Sequence, residues 1–216
     1  MTTTYLSVKK NKHLQIYLHP YLFNDELDNL PPYMEIIKSD DVKIFNNKIK
    51  NSFGAITGMC SGLNKEHLKY TLLTSAIMIY FYSQNKLLGM VALNSEDDKM
   101  HIETICTNTK SVSGAGRFLM DMVNYIGTRL GKSKITLDAV DQAIPFYEKL
   151  NFTKTGEKDV EKNTTPMKIE IKPVSLESVP NMLSLRKSMR KSLQKSASAK
   201  GTRRRRHPQR HHHHYA

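Results

Sequence analysis

Between residues 75 and 107 the apolar residues come in short, strand-sized runs, and from 118 to 130 they recur at three- and four-residue steps. The run Ser75–Ser83 is rich in β-branched and aromatic residues and closes on the turn Gln84-Asn85-Lys86. Leu87–Leu93 reads as the returning strand of a hairpin, Asn94–Lys99 as the next turn, and His101–Thr107 as a third strand. Three consecutive antiparallel strands are the economical arrangement. Phe118, Leu119, Met122, Val123, Ile126 and Leu130 then share one face of an amphipathic helix. Gly127 and Gly131 weaken its end, and Gly131 suits the residue just past a helix C-terminus.

A strand at Ile135–Ala139, a helix at about Gln142–Leu150 ending at Asn151, and strands near Phe152–Gly156 and Met167–Ile171 complete this half. Strand–helix–strand implies a right-handed crossover to a neighbouring strand of the same sheet. Before residue 75 the signals are sparser. Leu14–Leu18 reads as an opening strand, Asp40–Lys50 and Lys65–Leu73 as helices, Pro31-Pro32 and Ser52–Gly62 as loops. No internal repeat is found.

The charge changes this picture at one end only. From Lys172 onward there are 12 Lys and Arg against one acid, Glu177, whereas the preceding residues hold 21 basic and 19 acidic side chains. Residues 1–172 therefore read as one nearly neutral domain and 173–216 as a strongly basic tail. Met182, Leu185, Met189 and Leu193 allow a short basic amphipathic helix at 179–193. Ser196–Ala216, with Arg203–Arg206, buries too little to offset the entropy of ordering and reads as disordered.

With 216 residues and 39% apolar content, the chain can bury a core without disulfides or metals. Its two cysteines, Cys60 and Cys106, lie in apolar surroundings and read as reduced core residues of an intracellular protein. No apolar run approaches membrane-spanning length, and the start lacks a signal-peptide pattern. The expectation is a cytoplasmic or nuclear protein, a viral one included, without membrane association.

Ser111-Val112-Ser113-Gly114-Ala115-Gly116 follows a strand and opens a helix. Two glycines one residue apart let successive backbone N–H groups face one concavity, and the helix N-terminus adds roughly half a positive charge. Arg117 adds a charge-assisted donor. This suits a pyrophosphate; it equally suits an ordinary strand-to-helix turn that uses glycine for its conformational freedom.

Ala143-Ile-Pro-Phe-Tyr-Glu-Lys-Leu-Asn-Phe152 resembles the Ala-Ile-x-Phe-Tyr-Glu-Lys-x-Gly-Phe signature of GNAT-superfamily N-acetyltransferases. The glycine loop resembles that superfamily's phosphate loop, in the expected order. The resemblance covers about Ile77–Ile171. It implies the GNAT acyl-CoA N-acyltransferase fold, of α/β (α+β) class: a mixed, mostly antiparallel central sheet flanked by helices.

It further implies acetyl-CoA as co-substrate, lying in a split between two parallel strands. Ile105, Cys106 and Thr107 would pair with the pantetheine through their backbone, and Ser111–Gly116 would hold the pyrophosphate. Tyr147 would protonate the departing thiolate, against the alternative of a packed helix aromatic. Glu103 is the acid best placed in sequence to act as general base, against the alternative of a solvated strand charge. Strand alternation puts Glu103 on the face of Ile105, opposite Ile102 and Thr104. The chain departs from the family pattern at Ser111, where Gln or Arg is usual, at Val140 in place of Asn, and at Asn151 in place of Gly.

The implied activity is acetyl transfer to a primary amine of unknown identity, by direct attack in a ternary complex. The alternative is a non-catalytic GNAT-fold protein that engages nucleic acid or a viral or chromatin-like assembly through its tail. The tail's arginines suit phosphates of any sequence, a nuclear-import address or an acidic partner. His13, His19, His67 and His101 show no ligand spacing, His211–His214 sit in the tail, and no metal is expected.

Overall fold

The computed structural model describes residues 14–18, 34–38, 42–83, 86–108 and 114–173. Eight strands form one sheet in the order β2-β1-β3-β4-β5-β6-β8-β7. In chain order they are β1 (Leu14–Leu18), β2 (Met34–Lys38), β3 (Ile77–Ser83), β4 (Lys86–Ser95), β5 (Lys99–Thr107), β6 (Lys134–Val140), β7 (Thr153–Lys154) and β8 (Thr164–Glu170). The helices are α1 (Val42–Met59), α2 (Lys65–Thr74), α3 (Ala115–Arg129) and α4 (Ile144–Glu148). Among the described residues only the pairs β1–β2 and β5–β6 are parallel, so the sheet is mixed and mostly antiparallel, as expected.

The strands expected at 14–18 and from 75 to 107 form, with β3, β4 and β5 an antiparallel meander. β5 and β6, joined through α3, are parallel neighbours. Strand β2 has no counterpart in the sequence reading; Met34–Lys38 is short and follows two prolines.

Each face of the sheet has its own core. On one, α3 lays Phe118, Leu119, Met122, Val123 and Ile126 against Ile79, Phe81, Val91, Leu93, Ile102 and Leu137. Phe81 and Phe118 meet with ring centroids 4.8 Å apart. On the other, α1 and α2 bring Ile49, Ile56, Leu68 and Leu72 to Met78, Tyr80, Met90, Ala92 and Cys106. These apolar faces explain why the elements pack where they do, because each buried aliphatic side chain contributes about 1.5–3 kcal/mol.

The loop expected at Ser52–Gly62 is instead mostly helix: α1 continues to Met59 before a turn. Asn51, Ser52, Gly54, Thr57 and Gly58 are poor helix formers, each glycine costing about 1 kcal/mol relative to alanine. Burial of Ile49, Ile56 and Cys60 along one face overrides that preference. The helix expected at 142–150 is a 3-10 turn, Asp141–Ala143, followed by the short α4. The strand expected at 152–156 reduces to Thr153–Lys154. Asn151 takes φ 67°, and Gly131 takes φ 66° just past α3, both in the left-handed region that Asn and Gly tolerate.

The cysteines correct the sequence reading. Cys60 and Cys106 are disulfide-bonded, with S–S 2.04 Å and Cα atoms 5.5 Å apart. Their separation of 46 residues hid the contact, because it arises only when α1 folds back over β5. Pro31-Pro32, the turn at 84–85, the tail from 174 and its 179–193 segment lie outside the described residues. Among the described residues, no helix is long and apolar enough to cross a membrane.

Candidate active site

β5 and β6 pair only from Lys99↔Lys134 to Ile102↔Leu137. Both strands run on, β5 to Thr107 along β4 and β6 to Val140 along β8. Past Ile102 their facing edges form no ladder with each other, and the sheet opens into a fork.

The cause lies in β5. Ala92 pairs with Thr104 and Leu93 with Ile102, so Glu103 is the extra residue of a β-bulge. A bulge bends its strand and sharpens the local twist, turning the end of β5 away from β6. On that edge Ile105 and Thr107 leave their backbone groups for another partner, whereas Cys106, expected beside them, turns its own toward Met90 of β4; an extended amide-bearing chain would satisfy the free ones.

The bulge also overturns the simple alternation. Ile102 and Ile105 face the same core, the one under α3, and Cys106 faces the other. Glu103 points away from Ile105, exposed on the side of Asn94, whose amide donates to its Oε1 at 2.8 Å. Asn94 is itself held, its Oδ1 accepting from Ala76 N–H at 3.0 Å. Asn94 was missed at the sequence level because it reads as a turn residue. Asp138, the first β6 residue beyond the last β5 pair, is exposed at a regular outward position of its strand.

The mouth of the fork lies at the C-terminal ends of two adjacent parallel strands, where open α/β sheets bind ligands. α3 begins there. Gly114 is its first flanking residue, with φ +88°, and a β-carbon placed on it would meet nothing within 4 Å. Gly114 therefore supplies a turn that a side chain would strain and leaves open space before the helix N-terminus. Gly116, the second residue of α3, is small for another reason: a β-carbon there would lie 3.1 Å from the Phe146 ring. That contact joins the two sequence motifs, one at the start of α3 and the other on α4. Ala115 is buried beneath them and Arg117 is exposed. Ser111, Val112 and Ser113 lie outside the described residues.

Arg117 also acts on its own helix. Its charge partly offsets the burial that raises the carboxyl of half-buried Asp121, one turn on. Tyr147 is buried, edge-on to Phe146 at 5.1 Å and to Phe152 at 5.5 Å. Burial pushes its phenol up to about 12, so it stays protonated at neutral pH. Its hydroxyl has no hydrogen-bond partner among the described residues. Phe146 and Val140 are partly exposed apolar groups beside it, 36% and 44% accessible.

The donor set fits a pantetheine diphosphate: a free strand edge for the amides, then a glycine turn and helix N-terminus for the phosphates. Among the described residues no group of His, Cys, Asp and Glu has the geometry to hold a metal ion. His101 instead shares a 2.9 Å hydrogen bond with Thr136 across the last rungs of the β5–β6 ladder.

Among solved structures, Gcn5 from Tetrahymena is 17% identical with a TM-score of 0.52, the match covering 63% of this chain and 95% of that one. The ribosomal-protein-S18-alanine N-acetyltransferase from Escherichia coli is 13% identical, with a TM-score of 0.47 over 58% of this chain and 91% of that one. PaiA N-acetyltransferase from Thermoplasma acidophilum, solved in complex with coenzyme A, is 14% identical, with a TM-score of 0.45 over 60% and 94%. At these identities the Tetrahymena superposition carries the fold alone. The sequence profile described as the acetyltransferase (GNAT) domain matches residues 59–171, just over half of the chain. The fork, the glycine turn and α4 all lie within that match, and the protein belongs to the GNAT acetyltransferase family, whose domain supports acyl transfer.

Proposed function

We propose that the protein is an acetyl-CoA-dependent N-acetyltransferase that passes an acetyl group directly to a primary amine in a ternary complex. The observation that carries this reading is the fork at Glu103, opening at its mouth onto the N-terminus of α3. Acetyl-CoA supplies an activated thioester when bound. The free backbone edge from Ile105 to Thr107, through the groups of those two residues, pairs with its amides, and one N–H there polarises the carbonyl. Residues 111–116 with Arg117 take the phosphates through backbone N–H groups and charge.

Tyr147 donates a hydrogen bond to the sulfur as negative charge develops there. A thiol loses its proton near 8.5, so full transfer from a phenol at about 12 is uphill. The stabilisation comes from the donated hydrogen bond, and the lasting proton comes from the attacking amine. Glu103 is exposed on the other side of β5 and oriented by Asn94. It takes the proton of an ammonium acceptor, directly or through water.

Calorimetric titration with acetyl-CoA and with desulfo-CoA tests the cleft. Micromolar binding of both is expected; no binding at millimolar ligand refutes the reading. Tyr147→Phe should lower turnover about 10- to 100-fold with cofactor affinity nearly unchanged. Unchanged turnover removes Tyr147 from the mechanism.

A further inference from the structure

The Cys60–Cys106 bond joins the turn after α1 to the stretch of β5 that has lost its β6 partner. β5 here is laddered on one edge only, to β4. The disulfide is a second, covalent restraint, reaching from the strand's side chain to a helix on the opposite layer.

The helix it holds is locally weak. Gly54 and Gly58 fall in its last two turns, and neither is forced by packing, since a β-carbon on either would meet nothing within 4 Å. Asn51, Ser52, Gly54 and Thr57 favour a loop over this stretch. Ile56 and Cys60 are the fully buried residues of this stretch, with partly buried Phe53 and Met59 packed beside them, and Cys60 is the terminal anchor. Both cysteines are nearly buried, 5% and 9% accessible, so an attacking thiol gains access when the end of α1 lifts. Neither belongs to the core under α3, which leaves that core independent of the bond.

We propose that Cys60–Cys106 is a reversible redox tether. Oxidised, it keeps the C-terminal half of α1 helical against β5; reduced, it lets residues 54–60 fray while the α3 core persists. In the reducing step a dithiol thiolate attacks one sulfur, and the other cysteine leaves as a thiolate and takes up a proton. The second dithiol sulfur then displaces the first cysteine, giving two protein thiols and a cyclic disulfide. The reduced thiols remain small apolar groups in the α1–α2 core, so the change stays local.

Hydrogen exchange on the full-length protein, with and without dithiothreitol, tests this. Amides of 54–60 should exchange at least about tenfold faster after reduction, those of α3 should be unchanged, and oxidised glutathione should restore protection. Cys60→Ala should show the fast exchange in either buffer. Equal exchange at 54–60 in both states overturns the proposal. Loss of α3 protection overturns it too, by making the bond a staple of the whole fold, and so do two freely alkylated cysteines in the non-reduced protein. Exchange is read without cofactor, so this result is separate from failure of the acetyl-transfer reading.

Discussion

Gly114 shows what one residue decides. With φ +88° and open space around its missing side chain, it shapes the turn without filling it. Gly114→Ala should cost about 1–2 kcal/mol in stability, because a β-carbon disfavours this backbone region. It should also weaken desulfo-CoA binding, measured by calorimetry; equal affinity would detach this turn from the cofactor. Tyr147 gives a second residue-scale test. Burial raises its phenol to about 12 and raises Tyr80 further still, so the folded state holds protons that the unfolded chain releases near 10. Stability from these groups is complete below pH 10 and is lost as pH climbs toward 12. Denaturation midpoints should fall over that window, and Tyr147→Phe should flatten part of the fall. Gly114, Gly116, Phe146 and Tyr147 were legible in the sequence because their motif is local. Asn94 and the cysteine bond were not, because each gains its role from a neighbour on another strand or helix.

Among the elements, β5 and α1 are the ones the sequence misdescribes. Period-two alternation carries Ile102 and Ile105 to opposite faces, but the bulge at Glu103 resets the phase, and both meet the α3 core. That same bulge opens the fork, so the irregularity and the site have one origin. α1 runs nine residues past the end expected from its composition, since tertiary burial outweighs propensity at Gly54 and Gly58. Gly58→Ala, with free space for the new methyl, should therefore stabilise the protein by about 0.5–1 kcal/mol, seen as a rise of a few degrees in Tm. No rise would mean that the end of α1 is not helical in solution.

At the scale of the whole molecule, charge is divided along the chain. The residues from Lys172 carry 12 of the 33 basic side chains. We propose that 1–172 folds as one domain and that 173–216 binds polyanions. A chain cut after Pro173 should keep its thermal transition and any cofactor affinity while losing salt-sensitive binding to duplex DNA or heparin. Loss of the transition would make the tail part of the fold.

The sequence by itself determined the meander β3–β5, the helix α3 on its apolar face, and the pair of motifs that meet at Gly116 and Phe146. Those features depend on periodicity and on contacts close in the chain. Only the tertiary structure decided the bulge and fork, the reach of α1, and the joining of Cys60 to Cys106. Each of these depends on what a residue meets across the sheet, and local propensity carries no record of that.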